Sequence, residues 1–355
     1  MAASCSEDAG IDKPGNMKEL QMVPCVQTFH DVQTLQSSRR RILPTGYHLE
    51  TLKETYKIGI FLAKDNEVIE GAFANTNGSW RSLLELTNEA EYQVYGYVPV
   101  EAVSTATVAP NGTYTDGCIM TLTGMKPISA TDVCIVSGVK QGDSADDNIV
   151  DVGIVPGAFS YTCRDIDTGN YIFLLFDHLY SAISFWFKVD AEYDALRTIK
   201  VKSMSVKSNK ASKATATVTI AQNSTGDNPI SSVVWTPTAG DCEEPIFTYE
   251  PLDPDDEADT GQTLSTTSAW VADCMISDCV NSGGGSYLTL HTVYDVYDKK
   301  GHLLRADQHS DNSLPSLLNV TFNKRTKLNL TVNPTYLYVL GHWDLDSPTF
   351  TVETE

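Results

Sequence analysis

Apolar and polar residues alternate along much of this chain with a period of two, the spacing of a strand that turns one face to a core. The clearest case lies between Tyr171 and Val189. A continuous apolar run there passes into alternation, with Ile183, Phe185, Phe187 and Val189 on one face and Ser184, Trp186 and Lys188 on the other. This predicts one long central strand. Over residues 287–297, Leu288, Leu290, Thr292, Tyr294 and Val296 share a face, and the turn Asp298, Lys299, Lys300, Gly301 ends the run. Further strands are predicted at 22–35, 58–62, 91–98, 199–206, 215–220 and 327–332. Within the first of these Pro24 lacks the ladder N–H, which favours an edge or a strand start.

Helical spacing is scarce. Thr, Ser, Val and Tyr dominate the strands, and Gly, Asn, Asp and Pro punctuate them, as at Asn75, Thr76, Asn77, Gly78. The fold class is therefore all-β. A chain of 355 residues is long for one β-sandwich and suits two. The turn-rich break at Asp165, Asp167, Gly169 and Asn170 predicts a boundary, with domains over 21–166 and 167–355. Residues 1–20 are polar and acidic and read as a flexible tether. Residues 250–261, acidic with Pro251 and Pro254, read as a solvated loop.

A formal charge of −21, from 25 basic and 46 acidic residues, excludes nucleic-acid partners, because neutralising phosphates needs clustered Lys and Arg. The one strong basic run is Arg39, Arg40, Arg41. No apolar run reaches the roughly 20 residues of a membrane helix. Small residues precede Cys5, and Ser6, Glu7 and Asp8 follow it, so the start resembles the end of a bacterial lipobox with an acidic export tag. Cys5 is then the expected lipidation site.

Eight cysteines stand at 5, 25, 118, 134, 163, 242, 274 and 279, with no C-x-x-C pair and no histidine at zinc-ligand spacing beside them, so neither metal nor cofactor is expected. Asp165, Asp167 and Gly169 outline a calcium loop, but Phe176 stands where the bidentate Glu belongs. His178, inside an apolar strand, reads as a hydrogen-bonded core residue. G-x-S-x-G, H-E-x-x-H, P-loop and G-x-G-x-x-G motifs are all missing, and no enzyme is expected.

Three stretches, in order, resemble the fimbrillin (type V pilin) family of the Bacteroidetes. Tyr56-Lys-Ile-Gly-Ile-Phe-Leu62 with Trp80 and Tyr92-Gln-Val-Tyr-Gly-Tyr-Val-Pro99 is similar to the family's opening sandwich. Phe173-Leu-Leu-Phe-Asp-His-Leu-Tyr-Ser-Ala-Ile183 resembles its Phe-x-His strand. Leu330-Thr-Val-Asn-Pro-Thr-Tyr-Leu-Tyr-Val-Leu340 with Asp344-Leu-Asp-Ser-Pro348 resembles its C-terminal end. The resemblance implies two tandem transthyretin-like Greek-key β-sandwiches. It also implies an outer-membrane lipoprotein precursor that matures into a surface fimbrium serving adhesion. A trypsin-like protease would cut at Arg39, Arg40 or Arg41 and release a first strand over about 22–35. The C-terminal strand of another pilin subunit would replace it. That donor would come from about 334–355, through Tyr336, Leu337, Tyr338, Val339, Leu340, Phe350 and Val352, seated by ladder hydrogen bonds and alternate side chains. Cys25 must then be unpaired, since a disulfide would tether the cut strand. The competing expectation is a surface lipoprotein adhesin or glycan-binding module that never polymerises, meets host or bacterial surface ligands, and folds its C-terminal segment onto its own core.

Overall fold

The computed structural model describes residues 17–27, 29–31, 52–144, 153–223, 228–252, 259–280, 288–314, 322–337 and 342–354. Among these residues the first strands are β1 (Met17–Val26) and the two-residue β2 (His30–Asp31). A meander follows through β3 (Lys57–Lys64), β4 (Glu67–Thr76), β5 (Ser79–Glu85) and β6 (Glu91–Val98). Next come β7 (Thr105–Asn111), β8 (Thr113–Met125), β9 (Ile128–Ser129), β10 (Cys134–Gly142), β11 (Ser160–Thr162) and β12 (Asn170–His178). Then β13 (Ser181–Val189) leads through the one-turn helix α1 (Ala191–Asp194) into β14 (Arg197–Ser208), β15 (Lys213–Ala221) and β16 (Ile230–Thr238). The chain continues with β17 (Cys242–Thr248), β18 (Gln262–Thr263) and β19 (Ala269–Ile276), and finishes with β20 (Leu288–Asp298), β21 (Leu303–Ser313), β22 (Lys324–Leu337) and β23 (His342–Thr354).

The all-β reading holds. The first sheet runs β10-β12-β1-β5-β4-β3-β6-β11, and a further pairing of β10 with β6 closes it into a ring. Closure removes most exposed edges. The second sheet runs β2-β22-β13-β19-β9, with β23 also on β22. The third is β17-β14-β20-β21, with β18 on β14, and the fourth is β16-β15-β8-β7. The fourth packs on the first through Tyr95, whose ring lies 6.4 Å from that of Tyr114 and whose hydroxyl donates to the Tyr114 carbonyl at 2.6 Å.

Strand 91–98 stands where the pattern places it, and 215–220 lies within β15. The run from Tyr171 to Val189 does not form one strand. It breaks at Leu179 and Tyr180 into β12 of the first sheet and β13 of the second. There the Leu179 N–H donates to the Val133 carbonyl at 2.9 Å and the Tyr180 hydroxyl to that of Lys126 at 2.7 Å, which ends one ladder and aims the chain into the other. The change of sheet thus falls at 179–180, while the expected boundary lies before β12.

The two halves also interleave. β8 pairs with β15 from Gly117↔Ala221 to Met125↔Ala214. Gly117 permits this approach, since a Cβ there would sit 2.0 Å from the Ile220 carbonyl oxygen at a φ of +144°. β1 begins at Met17, inside the stretch read as tether, because Leu20 is fully buried and the Lys18 amine reaches Asp167 at 3.4 Å.

The turn between β20 and β21 carries a pH dependence. The Asp298 carboxylate accepts from the N–H groups of Lys300 at 2.8 Å and His302 at 2.9 Å. The backbone and side chain of His302 are the main cause holding its pKa at about 2. A carboxyl depressed on folding stabilises the fold above its unfolded pKa of about 4 and loses that contribution as pH falls through the folded value. The amide resonances of Lys300 and His302 should therefore stay put down to about pH 3 and shift together with a midpoint near pH 2, while the stabilisation fades between about pH 4 and pH 2.

Candidate functional site

β1 is held on both sides. Antiparallel pairing with β5 runs from Met17↔Glu85 to Met22↔Trp80, and parallel pairing with β12 runs from Leu20↔Asn170 to Val26↔Phe176. The partner on the β5 side ends at Met22, so Pro24 sits where one flank is no longer laddered, which reconciles a proline with an interior strand. A pocket of about 400 Å³ opens there, lined by Met22, Pro24, Leu52 and Trp80. Leu20, Met22, Cys25 and Val26 are buried. Cys25 makes no disulfide, and burial pushes its thiol up to about 12. An inert, unbridged thiol leaves no disulfide between this strand and its neighbours.

The segment does not stop at the first sheet. Phe29 is 7% exposed, and β2 pairs in parallel with β22 at Lys324 and Arg325. Residues 17–31 therefore span from one sheet to the next. Arg325 pairs with β13 on one edge of β22, which places β2 on the other edge. β23 pairs with Leu328 through Leu337 while β13 pairs with Arg325 through Val332, so β23 lies on that same outer edge. The N-terminal segment and the C-terminal strand thus lie end to end on one track, meeting between Arg325 and Leu328.

In the described residues the C-terminal strand is folded on its own chain. Phe350, 7% exposed, packs with its ring 6.0 Å from that of Phe187 and 5.1 Å from that of Tyr294. Val352 is half-buried beside it. Tyr336 and Leu337 belong to β22 and pair with Trp343 and His342. Tyr338, Val339 and Leu340 lie outside the described residues, as do Arg39, Arg40, Arg41 and Cys5. Asp165 and Asp167, which outlined a calcium loop, instead face the Lys18 amine at 3.8 and 3.4 Å and hold the start of β1.

At the sheet change sits a polar cluster that linear spacing does not reveal. Cys134 and His178 are direct cross-strand partners on β10 and β12. The Cys134 sulfur lies 3.6 Å from His178 Nδ1 and 3.1 Å from Asp132 Oδ2, and the Asp132 carboxylate also hydrogen-bonds His178 Nδ1. His178 is fully buried, and Phe29 stacks flat on its ring with centroids 3.5 Å apart. His178 is a hydrogen-bonded core residue, as its setting in an apolar strand predicts. Phe29 thereby covers this cluster, while Met22 and Val26 are buried in the core.

No family model matches the sequence, and no curated protein matches it. Solved structures do. One, named as a candidate cell adhesion protein from Bacteroides fragilis, is 12% identical with a TM-score of 0.45, over 95% of this chain and 98% of that one. A fimbrial protein from Bacteroides vulgatus is 13% identical with a TM-score of 0.36, over 84% of this chain and 92% of that one. The fimbrial anchor protein Mfa2 from Porphyromonas gingivalis is 9% identical with a TM-score of 0.29, over 94% of this chain and 97% of that one. Similarity at this level assigns no role by itself.

Proposed function

We propose that this chain is a structural subunit of a surface fimbria that assembles by strand exchange, after a trypsin-like protease cuts at Arg39, Arg40 or Arg41. The observation that carries the reading is the shared track, with a non-covalently held segment over 17–31 lying end to end with β23 on the outer edge of β22. A cut after the arginine triplet would detach β1 and β2 from the body and leave a groove between β5 and β12. β23 is 13 residues long, about 43 Å at about 3.3 Å per residue, and so can cover the 10 residues of β1. Its Pro348, Phe350 and Val352 alternate with exposed Thr349 and Thr351, the pattern a groove with pockets on one face accepts. Lipidation at Cys5 would hold the precursor at the outer membrane until the cut, with other copies of the subunit and the protease as partners.

The burial of Phe350 in its own chain favours a second reading, a surface adhesin that never polymerises. One experiment separates the two. The intact chain is treated with trypsin until the segment ahead of Ile42 is released, concentrated, and sized by light scattering. Fimbrial assembly predicts a ladder of multimers, and replacement of all three arginines by alanine should keep the chain monomeric under the same treatment. A fully cut chain that stays monomeric at high concentration would sink the fimbrial reading and leave the adhesin.

A further inference from the structure

The cluster of Asp132, Cys134 and His178 combines a carboxylate, a thiol and an imidazole, three ligand types for a borderline-soft divalent cation, and their ligating atoms lie within 4.8 Å of one another. The same three residue types could instead make a nucleophilic relay. The geometry decides against it, because a relay needs the acid and the nucleophile on opposite ring nitrogens of the histidine. Here both Asp132 and Cys134 converge on Nδ1. Three donors pointing at one place are the arrangement of a coordination site.

From this we infer that Asp132, Cys134 and His178 form a binding site for a single Zn²⁺-like ion at the change of sheet. Ligand bonds of about 2.3 Å to sulfur and about 2.0–2.1 Å to nitrogen, at tetrahedral angles, put those two atoms about 3.5–3.6 Å apart. The observed separation of Cys134 Sγ and His178 Nδ1 is 3.6 Å. The Asp132 carboxylate oxygen must move a few tenths of an ångström farther from the sulfur than its 3.1 Å contact and about an ångström farther from the ring nitrogen, giving up its hydrogen bond there. Asp132 is the ligand placed to do so. Its side chain is 21% exposed, and its buried Oδ1 accepts no hydrogen bond. A buried acceptor of that kind is costly until something fills it.

His178 is by contrast fixed, its ring stacked under Phe29 and lodged in β12, so the nitrogen and sulfur are held at ligand spacing before the ion arrives. Entry is past Asp132, the exposed member. On binding, the Cys134 thiol proton leaves to solvent, and the proton that His178 Nδ1 gives to the Asp132 carboxylate must also leave that nitrogen, so that the ring offers Nδ1 to the ion as a neutral imidazole with its proton on Nε2.

Co²⁺ is the probe, added to the full-length chain after exhaustive chelation. The expected result is a thiolate-to-cobalt charge-transfer band that saturates at one equivalent and is erased by Zn²⁺. Cys134→Ser should abolish the band, and Asp132→Asn, at a partly exposed position, should keep the fold by near-UV circular dichroism and weaken the ion at least tenfold. Surface binding at the His291 and His309 pair gives no thiolate band, so it cannot imitate the result. Absence of the band in the unaltered chain overturns the site, as does a band of equal strength in Cys134→Ser or in Asp132→Asn.

Discussion

A chain shortened to begin at Ile42 should melt far below the intact protein, bind a hydrophobic dye, and recover when a peptide of residues 17–31 is added. The magnitude comes from the surface that the segment buries. Leu20, Met22, Val26 and Phe29 are each 7% exposed or less, and a side chain of that kind contributes about 1.5–3 kcal/mol. Their gross loss is therefore about 6–12 kcal/mol, an upper figure because the unfolded chain already hides some surface. That is of the order of a whole domain's stability, about 5–15 kcal/mol. Neighbours suffer as well. β5 loses its ladder partner over Trp80 to Glu85, and β12 loses one over Asn170 to Phe176, which opens the ring of the first sheet. At about 2–4 °C per kcal/mol for a unit of this size, the midpoint should fall by more than about 10 °C. Recovery with the peptide is the informative half of the measurement, since it shows a groove that survives long enough to accept a strand. A shortened chain melting within a few degrees of the intact one would show that β1 is dispensable, and a groove would then have no work to do.

Only part of this architecture is visible in the amino-acid sequence. Period-two alternation is a local property, so 91–98 and 215–220 stand out from the sequence and are found as strands. The turn at Asp298 to Gly301 is local too, since Asp298 caps the N–H groups just after it. The break at Leu179 and Tyr180 is not. Phe173 to Ile183 holds no Gly, Pro or Asn to mark a turn, and what divides it is a pair of hydrogen bonds to Val133 and Lys126, more than 40 residues upstream. The same holds for the interleaving of β8 with β15, where the alternation of each predicts a half-buried strand without saying which partner covers it. The Asp132, Cys134 and His178 cluster fails to show for the same reason. The register Cys134↔His178 joins residues 44 apart in sequence, a separation no ligand-spacing rule anticipates. At the C-terminal end, β-propensity marks 349–352 as a strand in need of a partner, and the partner it has is β22 of the same chain.

That self-pairing makes Phe350→Ala the sharpest single substitution. The ring fills the space between Phe187 and Tyr294, at centroid distances of 6.0 and 5.1 Å. Truncating a buried phenylalanine costs about 3–5 kcal/mol, the transfer of the ring plus the cavity it leaves. Its place near the end of an outer strand, where the structure can relax, puts the expected loss at about 3 kcal/mol. Chemical denaturation should show the midpoint falling with the slope unchanged. Leu252→Ala, at a side chain 94% exposed, should move it by less than about 0.5 kcal/mol. Because Phe187 touches the same ring, Phe187→Ala combined with Phe350→Ala should cost less than the two single losses added together. The substitution is most telling once the chain has been cut at the arginine triplet. If β23 is a donor strand, the residue that plugs its own core is the residue that must seat in a neighbour's groove. Cleaved Phe350→Ala protein should then fail to build multimers at concentrations where the unaltered chain does, even where both are folded. If β23 serves only its own sheet, the substitution lowers stability and leaves the size distribution after cleavage as it was. A loss of stability alone therefore points to the adhesin, and a loss of assembly in folded protein to the fimbria.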